Sequence, residues 1–175
     1  MANPNYMTPR GVMRMQKELH WLDSVERPKV VAEVAYAAAL GDRSDNAEYR
    51  FGKGKLRQID GRRTFLVKRL RIARVVNPIQ VLGDKVKFGA TVIVEDEKGE
   101  EKTWRIYGED EVDVARGIIS WKSPLAKALM GKEGGDSVTF KAPGRVRELE
   151  LLDVRFEEQE PLEEWEWKTA RYARA

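Results

Sequence analysis

Two aspartates three residues apart, Asp42 and Asp45, stand in the stretch Gly41-Asp42-Arg43-Ser44-Asp45-Asn46-Ala47-Glu48-Tyr49, between two long helical patterns. Mg²⁺ prefers oxygen ligands in octahedral geometry and often takes only one or two protein carboxylates, with waters and substrate phosphates completing its shell. The pair suits that partial role. A metal or active site normally needs walls that exclude water and supply further ligands, and the tip of a helical hairpin has none. These residues would therefore complete a site on another molecule. A plainer assignment also stands: Gly41 ends a helix, Asp42 caps the next, and Asp45 is a first-turn acid favoured by the helix dipole. Asn46, Glu48 and Tyr49 divide in the same way, between tip contacts and ordinary first-turn residues.

The second constellation is electrostatic. Arg50, Lys53, Lys55, Arg57, Arg62, Arg63, Lys68, Arg69, Arg71 and Arg74 are opposed over that stretch by Asp60 alone, a local net of +9 in a chain whose total is only +3. Such a stripe is the footprint of a phosphate-backbone partner. Its alternative is a solvated face paired in part with Glu18, Glu26 and Glu33 of the preceding helix.

Several chemistries are excluded. With no cysteine in 175 residues there is no disulfide, thiolate metal site or cysteine nucleophile, in keeping with a reducing compartment. His20 is the only histidine and has no second histidine or cysteine with which to share a metal. It is expected to be structural or on the surface. Neither a G-x-x-x-x-G-K-[ST] phosphate loop nor a G-x-S-x-G elbow occurs, and Gly52-Lys53-Gly54-Lys55 is too short and lies on a helix. A self-contained enzyme is not expected. Charged residues make up 35% of the chain against a typical ~25%. With no apolar run of ~18 residues and no signal-peptide pattern at the N-terminus, the expectation is a soluble, cytoplasmic protein with no membrane partner.

These residues require an α+β architecture. Thr8 reads as an N-cap with Pro9 at the first helical position, followed by Val12, Met15, Leu19 and Leu22 at spacings of three and four. Pro28 should break or kink this arm before Val31, Val34 and Ala38 resume the stripe. Leu56, Ile59, Leu66, Leu70 and Ala73 line the return arm in heptad phase, with Arg63 as the mismatch. This pattern predicts an antiparallel two-helix coiled coil over residues 1–77. A linker at 78–84 follows Asn77-Pro78, and from there the period is two. Strands at 89–94 and 103–107 flank a Lys98-Gly99 turn, another covers Ile118-Ile119-Ser120, Ser123 caps a helix from Pro124 to Met130, and two more strands flank Pro143-Gly144. Residues 85–156 thus form a small, mostly antiparallel sheet with one short helix. The acidic and aromatic tail, 157–175, reads equally as a short amphipathic helix or a disordered segment.

The chain resembles the GreA/GreB family of bacterial transcript cleavage factors, most strongly on its GreB side. The residues that carry the resemblance are Thr8-Pro9-Arg10-Gly11, Arg27-Pro28, the tip block from Leu40 to Tyr49, Leu56-Arg57-Gln58-Ile59-Asp60, Phe88-Gly89-Ala90, Arg105-Ile106-Tyr107-Gly108, Ile119-Ser120, Ser123-Pro124-Leu125-Ala126 and Gly131-Lys132-Glu133. They span about Thr8 to Phe156. The resemblance implies a C-terminal domain, FKBP-like in fold, that docks at the rim of the RNA polymerase secondary channel around Ile119, Ser123, Pro124, Leu125 and Leu129. It implies a coiled coil inserted toward the active centre, where Asp42 and Asp45 help hold a Mg²⁺ shared with the polymerase and not bound stably by the factor alone. The factor would then be no enzyme itself, but a monomeric, RNA- and DNA-binding activator of the polymerase's cleavage of backtracked RNA. Lys53, Lys55, Arg57, Arg62, Arg63, Lys68 and Arg69 would engage the extruded RNA 3′ segment. The family usually has glutamate where this chain has Asp45, a side chain shorter by one methylene.

Two other functions fit the same elements. One is a channel-binding inhibitor or regulator with no cleavage activity. The other is a prolyl isomerase whose pocket would be lined by Trp104, Tyr107 and Trp121, although large aromatics in a small sheet more often form its core.

Overall fold

The computed structural model describes residues 4–41 and 46–173. It divides into two compact units, one formed by the N-terminal segment through Val12 together with Ala73–Pro161, the other by Met13–Ile72 with the chain from Leu162 onward. Contacts therefore group the first residues with the sheet and the tail with the hairpin, a division that differs from the one drawn along the sequence.

In the hairpin unit, helices α1 (Pro9–Trp21) and α2 (Arg27–Ala39) form the outgoing arm and α3 (Ala47–Arg71) returns. Between α1 and α2 the chain runs through a π-helical turn, Leu22–Glu26, closed by the Arg27 N–H donating to the Leu22 carbonyl five residues back. Pro28 explains the wide turn. It has no N–H, and its ring excludes the carbonyl four residues back that an α-helix would place there. A π turn takes up one extra residue, so the buried positions run Met15, Leu22, Val30 and Ala37, with a step of eight between Leu22 and Val30 instead of seven. Of the stripe expected at Val31, Val34 and Ala38, Val34 and Ala38 are half-buried and Val34 faces Gly52, but Val31 is 41% exposed and the fully buried positions are Val30 and Ala37. On α3 the facing row is Gly52, Ile59 and Leu66, with Leu56 and Leu70 half-buried. Arg63, the heptad mismatch, leaves the seam to pair with Asp23, and Arg27 pairs with Asp60 at 2.9 Å.

The tail is neither an amphipathic helix nor irregular throughout. It forms two 3₁₀ turns, Glu164–Glu166 and Arg171–Ala173, within the hairpin unit. Tyr172 is buried and its hydroxyl donates to Glu26 Oε1 at 2.7 Å. The Lys17 ammonium lies 4.7 Å from the Trp167 ring centre.

The other unit is built on a five-stranded sheet of β3 (Thr91–Glu95), β4 (Glu101–Tyr107), β5 (Ile118–Ser120), β6 (Ser137–Ala142) and β7 (Arg145–Arg155), ordered β5-β4-β3-β7-β6. All pairs are antiparallel except β4 with β5, which is parallel, in keeping with the mostly antiparallel expectation. Helix α4 (Pro124–Leu129) packs Ala126 and Leu129 into a core with Val92, Val94, Ile106 and Leu151. A second, two-stranded sheet pairs β1 (Asn5–Met7) with β2 (Ala73–Val75) in parallel.

Beside β1, Glu111 ties the first helical turn down. Its carboxylate accepts from the Thr8 N–H at 3.1 Å, from the Gly108 N–H at 2.8 Å and from the Thr8 hydroxyl, and that hydroxyl accepts in turn from the Gly11 N–H. Thr8 is thus the expected N-cap, and Gly11 is required for a reason no pattern carries. A Cβ at Gly11 would stand 2.1 Å from Glu111 Oε1.

Candidate functional site

Asp42 and Asp45 lie outside the described residues. What flanks them is well defined. Asn46 is the N-cap of α3 in extended backbone conformation, its Oδ1 accepting from the Tyr49 N–H at 3.0 Å. Its Nδ2 donates 2.7 Å to the Ala37 carbonyl on α2, so one side chain caps the return helix and ties it to the outgoing one. Asn46 therefore closes the hairpin neck, while Glu48 is exposed and Tyr49 half-buried. Among the described residues no group of three or more His, Asp or Glu side chains converges as a metal site.

The basic stripe separates into two populations. Arg62 grips Glu18 with both arms, Nε to Oε2 at 2.7 Å and Nη2 to Oε1 at 3.1 Å, and Glu18 is fully buried. Arg14 and Arg171 approach the same carboxylate at 3.9 and 3.6 Å. Arg63 is engaged by Asp23, whose hydrogen bond raises the guanidinium's pKa. Of the three acids expected to oppose the stripe, Glu18 does so, whereas Glu26 accepts the Tyr172 hydroxyl. Burial, reinforced by Glu26, pushes that hydroxyl's pKa up to about 12. Lys53, Lys55, Arg57 and Lys68 make no ion pair among the described residues, and Arg69 is half-buried. Of the seven residues expected to hold RNA, Lys53, Lys55, Arg57 and Lys68 thus leave their charge available to a phosphate, whereas Arg62 and Arg63 are engaged by acids of the outgoing arm.

Aromatic rings interleave with these cations, a feature the charge count overlooked. Lys53 lies 5.6 Å from the Tyr49 ring centre, Lys55 lies 5.4 Å from that of Phe51, and the Arg62 guanidinium lies 5.0 Å from that of Phe65. The i, i+4 spacing of the first two pairs is the signal that would have found them.

In the sheet unit the expected docking residues are dispersed. Leu129 is fully buried and Ile119 nearly so, both in the core, so neither side chain meets a partner while the core is closed. Ser123 caps α4 by accepting from the Ala126 N–H at 3.2 Å, Leu125 is half-buried and Pro124 is exposed. Trp104 and Tyr107 do not share a pocket. Three apart on β4, they point to opposite faces of the sheet, and burial raises the pKa of Tyr107. Trp121 packs edge-on against Tyr6, with ring centres 5.3 Å apart.

A capped helical hairpin with a basic return arm, and a small sheet unit carrying one helix, define an α+β class of protein with a cationic helical face. Family comparison gives that class its identity. Residues 5–75 match the model described as "Transcription elongation factor, N-terminal" and residues 81–156 the model "Transcription elongation factor, GreA/GreB, C-term". The chain is 45% identical to transcription elongation factor GreB of Yersinia pestis, over 94% of this chain and 98% of that protein. It is 46% identical to transcription elongation factor GreA of Anaeromyxobacter sp. (strain K), over 88% and 93%. A solved structure of the transcription factor Gfh1 aligns at 24% identity and a TM-score of 0.42, covering 88% of this chain and 99% of that one. The chain belongs to the GreA/GreB family of transcription elongation factors.

Proposed function

We propose that this protein binds bacterial RNA polymerase, inserts its coiled-coil hairpin into the secondary channel and stimulates the polymerase's own cleavage of backtracked RNA. The observation that carries the reading is the hairpin neck. Asn46 joins the two helices and directly follows the sequence Asp42-Arg43-Ser44-Asp45, on an arm whose 25-residue return helix is about 37 Å long at the usual rise. Two carboxylates are an oxygen donor set of the kind Mg²⁺ accepts, and too few to hold it tightly alone. A Mg²⁺ held there would supply charge stabilisation at the phosphate oxygens. This chain's residues position it: Asn46 fixes the neck, and the Glu18–Arg62 pair locks the two arms in register. Lys53, Lys55, Arg57 and Lys68 hold the extruded RNA 3′ segment by its phosphates. The factor acts as a cytoplasmic monomer and performs no hydrolysis by itself; among the described residues no helix is long and apolar enough to cross a membrane.

A stalled, backtracked elongation complex tests this. Adding the wild-type protein should shorten the RNA, and Asp42→Asn should abolish the shortening while leaving polymerase binding nearly intact. RNA of unchanged length with wild-type protein bound would assign the chain to the inhibitory reading.

A further inference from the structure

On the outer side of α3, Phe51, Gly54, Lys55, Arg57 and Gln58 line a shallow open groove. We infer that this groove is a nucleobase subsite, in which one base of a single-stranded RNA stacks on the Phe51 ring over Gly54 while Lys55 and Arg57 take the flanking phosphates. The inference rests on the reading above, that RNA runs along this helix.

Phe51 is 69% exposed, and Lys55 lies against its ring, leaving aromatic surface open beside a cation. Gly54 has no structural justification. A Cβ there would meet only Arg57 Nη2, at 3.9 Å, so alanine would fit and would favour the helix. Gly52 differs, since its Cβ would stand 2.5 Å from Val34 Cγ2 across the seam. Glycine at position 54 thus leaves the groove floor as bare backbone, as close approach of a flat ligand requires. Lys55 and Arg57 make no ion pair among the described residues, and the Gln58 amide carries donors and an acceptor that suit a base edge. Aromatic faces beside cations are how proteins hold single strands with little sequence preference. The stretch from Arg50 to Arg74, with a local net of +9, favours a polyanion.

The test measures binding of the full-length protein to a short oligoadenylate and to an abasic ribose-phosphate strand of equal length, by fluorescence anisotropy across a salt series. Wild type should prefer the base-bearing strand by about fivefold or more, the lower end of a single stacking contact. Phe51→Leu and Gly54→Ala should each bring that ratio toward one with the salt slope unchanged. Lys55→Gln with Arg57→Gln should flatten the salt slope and keep the ratio. Because Gly54→Ala is compatible with the helix, loss of the ratio there is not unfolding, which circular dichroism confirms. Equal wild-type affinity for the two strands would leave the groove to an acidic protein surface and overturn the proposal, as would a ratio preserved in Phe51→Leu. The cleavage assay run in parallel separates the two readings: a base-dependent ratio without wild-type cleavage refutes the polymerase mechanism alone, and cleavage without the ratio refutes the subsite alone.

Discussion

Glu18 is the residue on which the hairpin's electrostatics turn. A fully buried carboxylate is tolerable only when its charge is matched, and here Arg62 supplies a two-pronged partner with Arg14 and Arg171 close by. Glu18→Gln keeps the shape and removes the charge, leaving clustered guanidiniums without a counterion. The expected loss is about 3 kcal/mol, toward the low end for a broken buried pair because Arg62 retains some solvent contact. Urea unfolding measures it, and adding Arg62→Met should recover part of the loss. Asp45→Glu acts at the same scale and on function. The longer side chain restores the family's usual residue just ahead of the Asn46 cap, and stability should change by no more than ~0.5 kcal/mol. RNA cleavage should equal or exceed wild type, and a large loss with polymerase binding preserved would mean that aspartate is fitted to this tip. The basic stripe was legible because it is a run of charge. Glu18–Arg62 was legible only as a general pairing of stripe and acids, since burial of one member and the specific partner 44 residues away depend on the packed seam.

At the level of elements, the glycines of α3 separate packing from propensity. A Cβ at Gly61 would meet nothing within 4 Å, so Gly61→Ala should stabilise the hairpin by up to about 1 kcal/mol, the usual helical difference. Gly52→Ala should destabilise it despite the same propensity gain, because Val34 Cγ2 occupies the space. Thermal unfolding of the two variants should shift in opposite directions. The elements with local signatures were readable in advance: the Thr8-Pro9 start, the Ser123 cap, the β3–β4 hairpin and the strands about Pro143-Gly144. The exact phase of α2 was not, because counting at 3.6 residues per turn has no place for a π turn, and one inserted residue moves the fully buried positions to Val30 and Ala37. Nor was β1, three residues long, whose ladder partner is β2 at Ala73–Val75. Such a strand exists through a contact that no window along the sequence contains.

At the scale of the molecule, the chain's two ends exchange allegiance. The first residues join the sheet unit through β1–β2 and Glu111, and the last join the hairpin unit through Trp167, Arg171 and Tyr172. The family model of the sheet unit stops at residue 156, short of the tail. The tail's packing makes it a stabiliser of the hairpin base. Removing the chain from Leu162 onward should speed hydrogen exchange in α1 and α3 around Glu18 and Leu66 while β3, β4 and β7 keep their protection, because the lost contacts all belong to one unit. Tyr172 adds a pH signature. Its hydroxyl titrates near 12 in the folded protein against about 10 in the unfolded chain, a raised value, so its contribution is complete below about pH 10 and fades as pH climbs through 12. Tyr172→Phe removes the hydrogen bond to Glu26 and the titration together. Its stability deficit relative to wild type should therefore be constant from pH 7 to 9.5 and shrink between 10 and 12, in unfolding curves recorded side by side so that the lysines common to both cancel. A deficit that stays flat across that range would show that the tyrosine hydroxyl is not held against Glu26 in solution.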